Sequence, residues 1–176
     1  LTTGGYIAYI GRLSYEKGYD LLVEVARKHP EIKFRFAGAQ REQKNTDIPS
    51  NVEFAGYLQK DKLLEFIQKA RFIVIPSRCY EGFPMAILEA ACHGKPAIAS
   101  NHGGFTEIIG QGENAIGKLF EPGNTDDLDK QIAELWNNQT LTEELGEKAF
   151  RKLKKHYDSE VVYKQWETLF SKLKNS

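Results

Sequence analysis

Short apolar runs alternate along this chain with stretches whose apolar residues recur every three or four positions. The first run, Tyr6-Ile7-Ala8-Tyr9-Ile10, is apolar and β-prone throughout, as a strand buried in a parallel sheet should be. After Gly11–Gly18 comes a helical pattern, with Asp20 near its start and Leu21, Leu22, Val25 and Ala26 on one face. A strand follows over 33–37 and ends at Gly38. A polar loop then runs through 39–50, closed by Pro49-Ser50-Asn51. The next segments read as strand 52–55, helix 60–70 with Leu63, Leu64, Phe66 and Ile67, and strand 72–75. Further on come a short strand over 96–100, a short helix over 105–109, a turn at Gly110-Gln111-Gly112 and a last strand over 116–120. From Asp126 onward the pattern is helical, broken near 137–140 and 156–159. Strands that alternate with helices across short loops predict an α/β fold: a Rossmann-like, doubly wound parallel sheet of about six strands with right-handed crossovers. No internal repeat or low-complexity linker interrupts it.

One segment stands out, Pro76 to Pro96. The apolar strand leads into a loop holding Glu81 and Gly82. A helix then starts at Phe83-Pro84, with proline suited to the first helical position, and stops at Gly94-Lys95-Pro96. Met85, Ala86, Ile87, Leu88, Ala90, Ala91 and Cys92 make it apolar nearly all round, which predicts burial on both sides. Glu89 interrupts it. A carboxylate in such a place needs a hydrogen-bonding partner. Structurally, Glu89 pairs with an arginine or a loop amide, and Glu81 is a solvated turn residue. Functionally, the helix N-terminus faces a phosphate and the two carboxylates accept hydrogen bonds from sugar hydroxyls. Phosphate together with polyol hydroxyls suggests a nucleotide sugar.

At 176 residues the chain is one domain, or half of a two-domain protein, and its 41% apolar content supports a sizeable core. Its 24 basic side chains balance its 24 acidic ones, which argues against nucleic acid as a partner. Cys79 and Cys92 form no CxxC motif and suggest a reduced, cytoplasmic protein. His29, His93, His102 and His156 show no metal-ligand spacing, so no metal is expected. No run reaches membrane-spanning length and no signal peptide is visible. The glycosylation sequon at Asn138-Gln139-Thr140 is read as chance. The cluster Lys148, Arg151, Lys152, Lys154 and Lys155 fits a solvated helix face, the commoner use, or a membrane-surface patch.

In an open α/β sheet ligands bind beyond the C-terminal strand ends, where the strand order reverses. For the order 3-2-1-4-5-6 the crevice lies between the first and fourth strands. The loops leaving them are Gly11–Gly18, with Arg12 and Lys17, and Pro76–Gly82, with Glu81. Two cations facing a helix N-terminus would clamp a diphosphate. Neither GxGxxG nor GxxxxGK[ST] is present, so an NAD-dependent oxidoreductase or a P-loop protein lacks its fingerprint.

Residues 6 to 120 resemble the C-terminal, donor-binding domain of the GT-B glycosyltransferases of group 1, family 4. The most specific feature is the E-x7-E pair Glu81 and Glu89 within EGFPMAILEAACHGKPAIAS. Around it stand GRLSYEKG, VEFAGYL, Pro76-Ser77 and HGGFTEII. The tail through 161–173 is similar to the family's terminal helices, which pack back toward the N-terminal domain. The resemblance implies a retaining hexosyltransferase that uses a UDP-, GDP- or ADP-sugar, needs no metal and carries the group to a glycan or lipid-linked acceptor. It implies a catalytic set of Arg12 and Lys17 on the diphosphate, with Glu81 orienting the sugar hydroxyls. Glu89 would accept from the ribose. Gly11, Gly82, Phe83, Pro84, Met85 and Ala86 would line the phosphate and sugar, Gly56, Tyr57 and Leu58 the base, and Gly103 and Gly104 the rim. Residues 1–176 would then be the nucleotide-sugar domain, its acceptor-binding N-terminal partner domain lying outside this chain. Polysaccharide biosynthesis in the cytoplasm, with attachment to the inner membrane face as a variant, is the family's usual setting.

Two positions depart from the family pattern. Pro84 stands where many members have Gly, and removes one amide. Gln40 stands where many have a second Gly near the base. The competing reading is a non-catalytic nucleotide- or phosphosugar-binding module, against which the joint presence of Arg12, Lys17, Glu81 and Glu89 argues.

Overall fold

The structure is a computed structural model that describes residues 5–39 and 47–174. Six strands, β1 (Tyr6–Ile10), β2 (Phe34–Ala37), β3 (Val52–Gly56), β4 (Ala70–Ile75), β5 (Ala97–Ser100) and β6 (Gly117–Phe120), form one sheet in the order β3-β2-β1-β4-β5-β6. Every neighbouring pair is parallel. The strand order therefore reverses between β1 and β4, as the pattern predicts. Gln40, on which one sequence expectation rests, lies outside the described residues.

Alternate residues of each strand enter two separate cores, as the two-residue period of a strand requires. Ile7, Tyr9, Phe34, Phe36, Phe72, Val74 and Ile98 face α1 (Tyr19–Lys28) and α5 (Thr125–Asn137). Tyr6, Ala8, Ile73, Ile75, Ala97 and Ala99 face α2 (Asp61–Lys69), α3 (Met85–Cys92) and α4 (Gly104–Ile109). The second face is floored by small residues, Ala8, Ala97 and Ala99, over which the alanine-rich α3 can lie. Two asparagines set the helical breaks. Asn124 Oδ1 accepts from the amides of Asp126 (3.1 Å) and Asp127 (3.0 Å) and starts α5. Asn138 Oδ1 accepts from the Leu141 amide at 3.0 Å and starts α6 (Gln139–His156). The last helix, α7, spans Ser159–Lys174.

Two expectations about α3 need correction. Pro84 is not its first helical residue. At φ −76° and ψ 90° it is extended and stands as the N-cap, its carbonyl accepting from the Ile87 amide at 3.1 Å. Nor is the helix buried on both sides. Ile87, Leu88, Ala90 and Ala91 are buried, but Met85 is 56% exposed, Cys92 is exposed and Glu89 is only half-buried. The sheet, α2 and α6 close over one side only, so an apolar residue on the other side is not thereby a core residue.

Candidate active site

The loop after β1 and the loop after β4 meet where the strand order reverses. Residues 15–17 form a turn of 3-10 helix, ended by Gly18 in the left-handed region at φ 69°. A Cβ at Gly18 would lie 1.8 Å from the Pro76 carbonyl oxygen, so only glycine lets the loops approach this closely. Backbone bonds join them: the Arg78 amide donates to the Glu16 carbonyl at 2.8 Å and the Cys79 amide to the same oxygen at 3.3 Å. The Arg78 guanidinium donates to both carboxylate oxygens of Asp20, each at 2.7 Å, and to the Tyr15 carbonyl at 2.6 Å. It also stacks over the Tyr15 ring at 4.0 Å. From below, the buried Tyr9 hydroxyl donates to the Arg12 carbonyl at 2.6 Å. Burial drives the Tyr9 phenol far above its ordinary value, so it stays a donor.

Within this frame Lys17 and Glu81 form an ion pair, each side chain mostly shielded from solvent. The Ser77 hydroxyl donates to Glu81 Oε1 at 3.4 Å, and the Cys79 sulfur lies 3.5 Å from the Lys17 ammonium. Among the described residues every hydrogen bond to the Glu81 carboxylate goes to Oε1. Burial pulls the Lys17 pKa down, but Glu81, with Cys79, outweighs it, and the net shift is upward. A third loop, after β5, completes the group. The Gly104 amide donates to the Glu81 carbonyl at 2.7 Å, and a Cβ at Gly104 would sit 2.4 Å from the Gly82 oxygen. His102 approaches the Ser77 carbonyl through Nε2 at 3.0 Å, its ring against Tyr80 at 4.8 Å. A carbonyl only accepts, so Nε2 carries a proton and donates it.

The structure thus brings together Lys17, Glu81, Gly82, Gly103 and Gly104. Arg12 lies on the same loop after β1, its side chain 42% exposed and 3.4 Å from Glu16. Gly11 leaves β1 with its amide on the Ala37 carbonyl at 3.0 Å. Phe83 and Met85 are exposed at the start of α3, which no side chain caps, with Ala86 half-buried behind them. No hydrogen bond or ion pair among the described residues joins the other residues to this cluster. Tyr57, 69% exposed, and the half-buried Leu58 follow β3 at the sheet edge. Glu89 has no hydrogen-bond or ion-pair partner among the described residues, so none of the described arginines or loop amides holds it. Sequence reasoning missed Arg78 and Asp20. An arginine in one loop and an acid opening the helix after the other were a usable signal once the two strands were expected to be neighbours. Among the described residues no three His, Cys, Asp or Glu side chains are grouped to hold a metal ion.

A family model described as glycosyl transferases group 1 matches residues 2–152. The chain belongs to this family. Over 145 residues this group 1 chain is 35% identical to the uncharacterized glycosyltransferase MJ1178 of Methanocaldococcus jannaschii, a match covering 79% of this chain and 40% of that protein. It is 30% identical over 175 residues to the sulfoquinovosyl transferase SQD2 of Arabidopsis thaliana, covering 96% of this chain and 32% of the relative. It therefore spans less than half the length of either. A mutant of S. aureus TarM, solved with fondaparinux, α-GlcNAc-glycerol and UDP, superposes with a TM-score of 0.80 at 26% identity over 96% of this chain and 36% of that one. The sheet is that of the Rossmann-like C-terminal half of a GT-B glycosyltransferase.

Proposed function

We propose that this domain holds a nucleotide-diphosphate sugar across the β1 and β4 loops and presents it for retaining transfer of a hexosyl group to a glycan or lipid-linked acceptor. The observation that carries this reading is the Lys17–Glu81 pair at the strand-order reversal, where a cation and a carboxylate are held together by loops pinned at Gly18 and Arg78. An ammonium has three protons to donate. Glu81 and Cys79 engage two, and the third is left for a diphosphate oxygen. Arg12 adds a second cation, and the uncapped amides of Met85 and Ala86 add the partial positive charge of a helix start. These groups stabilise the negative charge on the departing diphosphate and need no metal to do so. Glu81 keeps Oε2 for a sugar hydroxyl, and the half-buried Glu89 accepts from the ribose hydroxyls. Gly56, Tyr57 and Leu58 border the base. The UDP bound in the TarM structure favours a uridine nucleotide among the candidate donors. Acceptor binding and turnover belong to a longer, two-domain protein, at work in the cytoplasm.

Calorimetric titration of this chain with UDP, GDP, ADP and NAD tests the reading. Binding of at least one nucleoside diphosphate is expected, weakened by Lys17→Ala by roughly ten- to a hundredfold, the loss of one charge-assisted contact. Binding of NAD alone, or a Lys17→Ala affinity equal to the parent's, would refute it.

A further inference from the structure

The C-terminal half of α6 faces the turn of 3-10 helix at 112–114 across a hollow of about 390 Å³. We propose that this hollow is an anion site that takes a phosphate-bearing group. Lys148, Arg151, Lys152, Lys155 and His156 line it, against a single carboxylate, Glu113, with Ile116 as an apolar wall. The chain as a whole carries equal numbers of basic and acidic side chains, yet residues 147–156 hold five Lys and Arg against Glu147 alone. A solvated helix face usually mixes the two signs and does not close round a concavity. The volume lies in the range of small-molecule sites.

Three of the cations are already fixed in place. Lys152 donates to the Ile108 carbonyl at 2.6 Å, at the end of α4, and Lys148 to the Glu113 carbonyl at 3.3 Å. Arg151 pairs with Glu147 at 3.0 Å. Lys155 has no ion-pair partner among the described residues. Lysines bonded to neutral carbonyls keep their full charge, and an anion in the hollow would meet donors whose ordering cost is already met in part. Burial lowers the Lys152 pKa, against a smaller opposing pull from the Glu107 carboxylate. Phosphate, with several acceptor oxygens and up to two charges, suits such a cluster better than a carboxylate does. Its source is either a soluble phosphate ester or a lipid headgroup.

Two probes separate these sources. Inorganic pyrophosphate is titrated by calorimetry at low salt in a Lys17→Ala, Arg12→Ala background, which removes both cations of the proposed donor clamp. Vesicles of phosphatidylcholine with and without phosphatidylglycerol are assayed by co-sedimentation. Saturable binding of pyrophosphate assigns a soluble ligand, and binding only of the anionic vesicles assigns a headgroup. In either case Lys148→Gln with Lys155→Gln, both exposed positions, should weaken binding by about tenfold or more, while the charge-matched pair Lys62→Gln with Lys69→Gln on α2 leaves it unchanged. No binding of either probe, or equal losses from the two double variants, overturns the site. The donor reading is judged separately, by the effect of Lys17→Ala on nucleotide affinity.

Discussion

At the scale of single residues, Arg78 decides the geometry of the candidate active site without being one of the groups proposed to touch the donor. Its guanidinium forks onto Asp20 while its plane lies over Tyr15. Both side chains of the pair are less than a third exposed, so the pair is stronger than a surface ion pair, though water still reaches it. Arg78→Ala should cost roughly 1–2 kcal/mol in urea unfolding. Arg78→Lys should recover little, because an ammonium cannot fork or stack. Full stability in Arg78→Lys would show that only the charge matters. Lys17 makes a prediction about pH. Its pKa is raised in the folded chain, so its contribution is fully present below the ordinary lysine value of ~10.4 and is lost as pH rises through the folded value. A Lys17→Met variant should therefore be less stable than the parent at neutral pH and lack part of the parent's further alkaline loss of stability above about pH 10. Identical alkaline limbs in the two proteins would mean that Glu81 does not hold the ammonium.

Among elements, α6 packs closely on the turn that follows α3. A Cβ at Gly146 would lie 2.0 Å from the carbonyl oxygen of Gly94, a backbone atom that cannot swing away. Two effects oppose each other in Gly146→Ala. Alanine gains up to about 1 kcal/mol of helix propensity in mid-helix, while overpacking against backbone costs roughly 1–3 kcal/mol. The second wins, and the variant should melt several degrees below the parent. A higher melting temperature would show that α6 can back away freely. The sequence carried only part of this. All six strands were legible, because the apolar runs are short, bounded by Gly and Pro, and separated by amphipathic segments, and their order is the common one for a doubly wound sheet. The start of α3 was misplaced by one residue, because proline suits both the N-cap and the first turn and only ψ distinguishes them. Its exposed side was misjudged because Met85 and Cys92 look like core residues to any hydropathy pattern. The Lys17–Glu81 meeting could be inferred from the order of strands. The glycine contacts at 18, 104 and 146 could not, since they depend on distances of a few tenths of an ångström between segments remote in sequence.

For the whole molecule, the six-stranded sheet and its two cores account for the fold, and α7 contributes little to either. None of its described side chains is fully buried. Tyr163, Trp166 and Phe170, at helical spacing, are 65%, 54% and 57% exposed. Trp166 and Phe170 stack on each other at 5.7 Å rather than on the body of the domain. An aromatic stripe of this kind adds almost nothing to unfolding free energy but is a liability for self-association. A chain ending at Asp158 should therefore lose less than about 1 kcal/mol, a shift of no more than ~4 °C in melting temperature for a domain of this size. It should also scatter less light at high concentration than the full chain. Nucleotide titrations should be unchanged, because the β1, β4 and β5 loops make none of their described contacts with α7. A fall of more than about 10 °C, well beyond what 1 kcal/mol produces, would mean that α7 closes the core and that its aromatic face is held against the domain in solution.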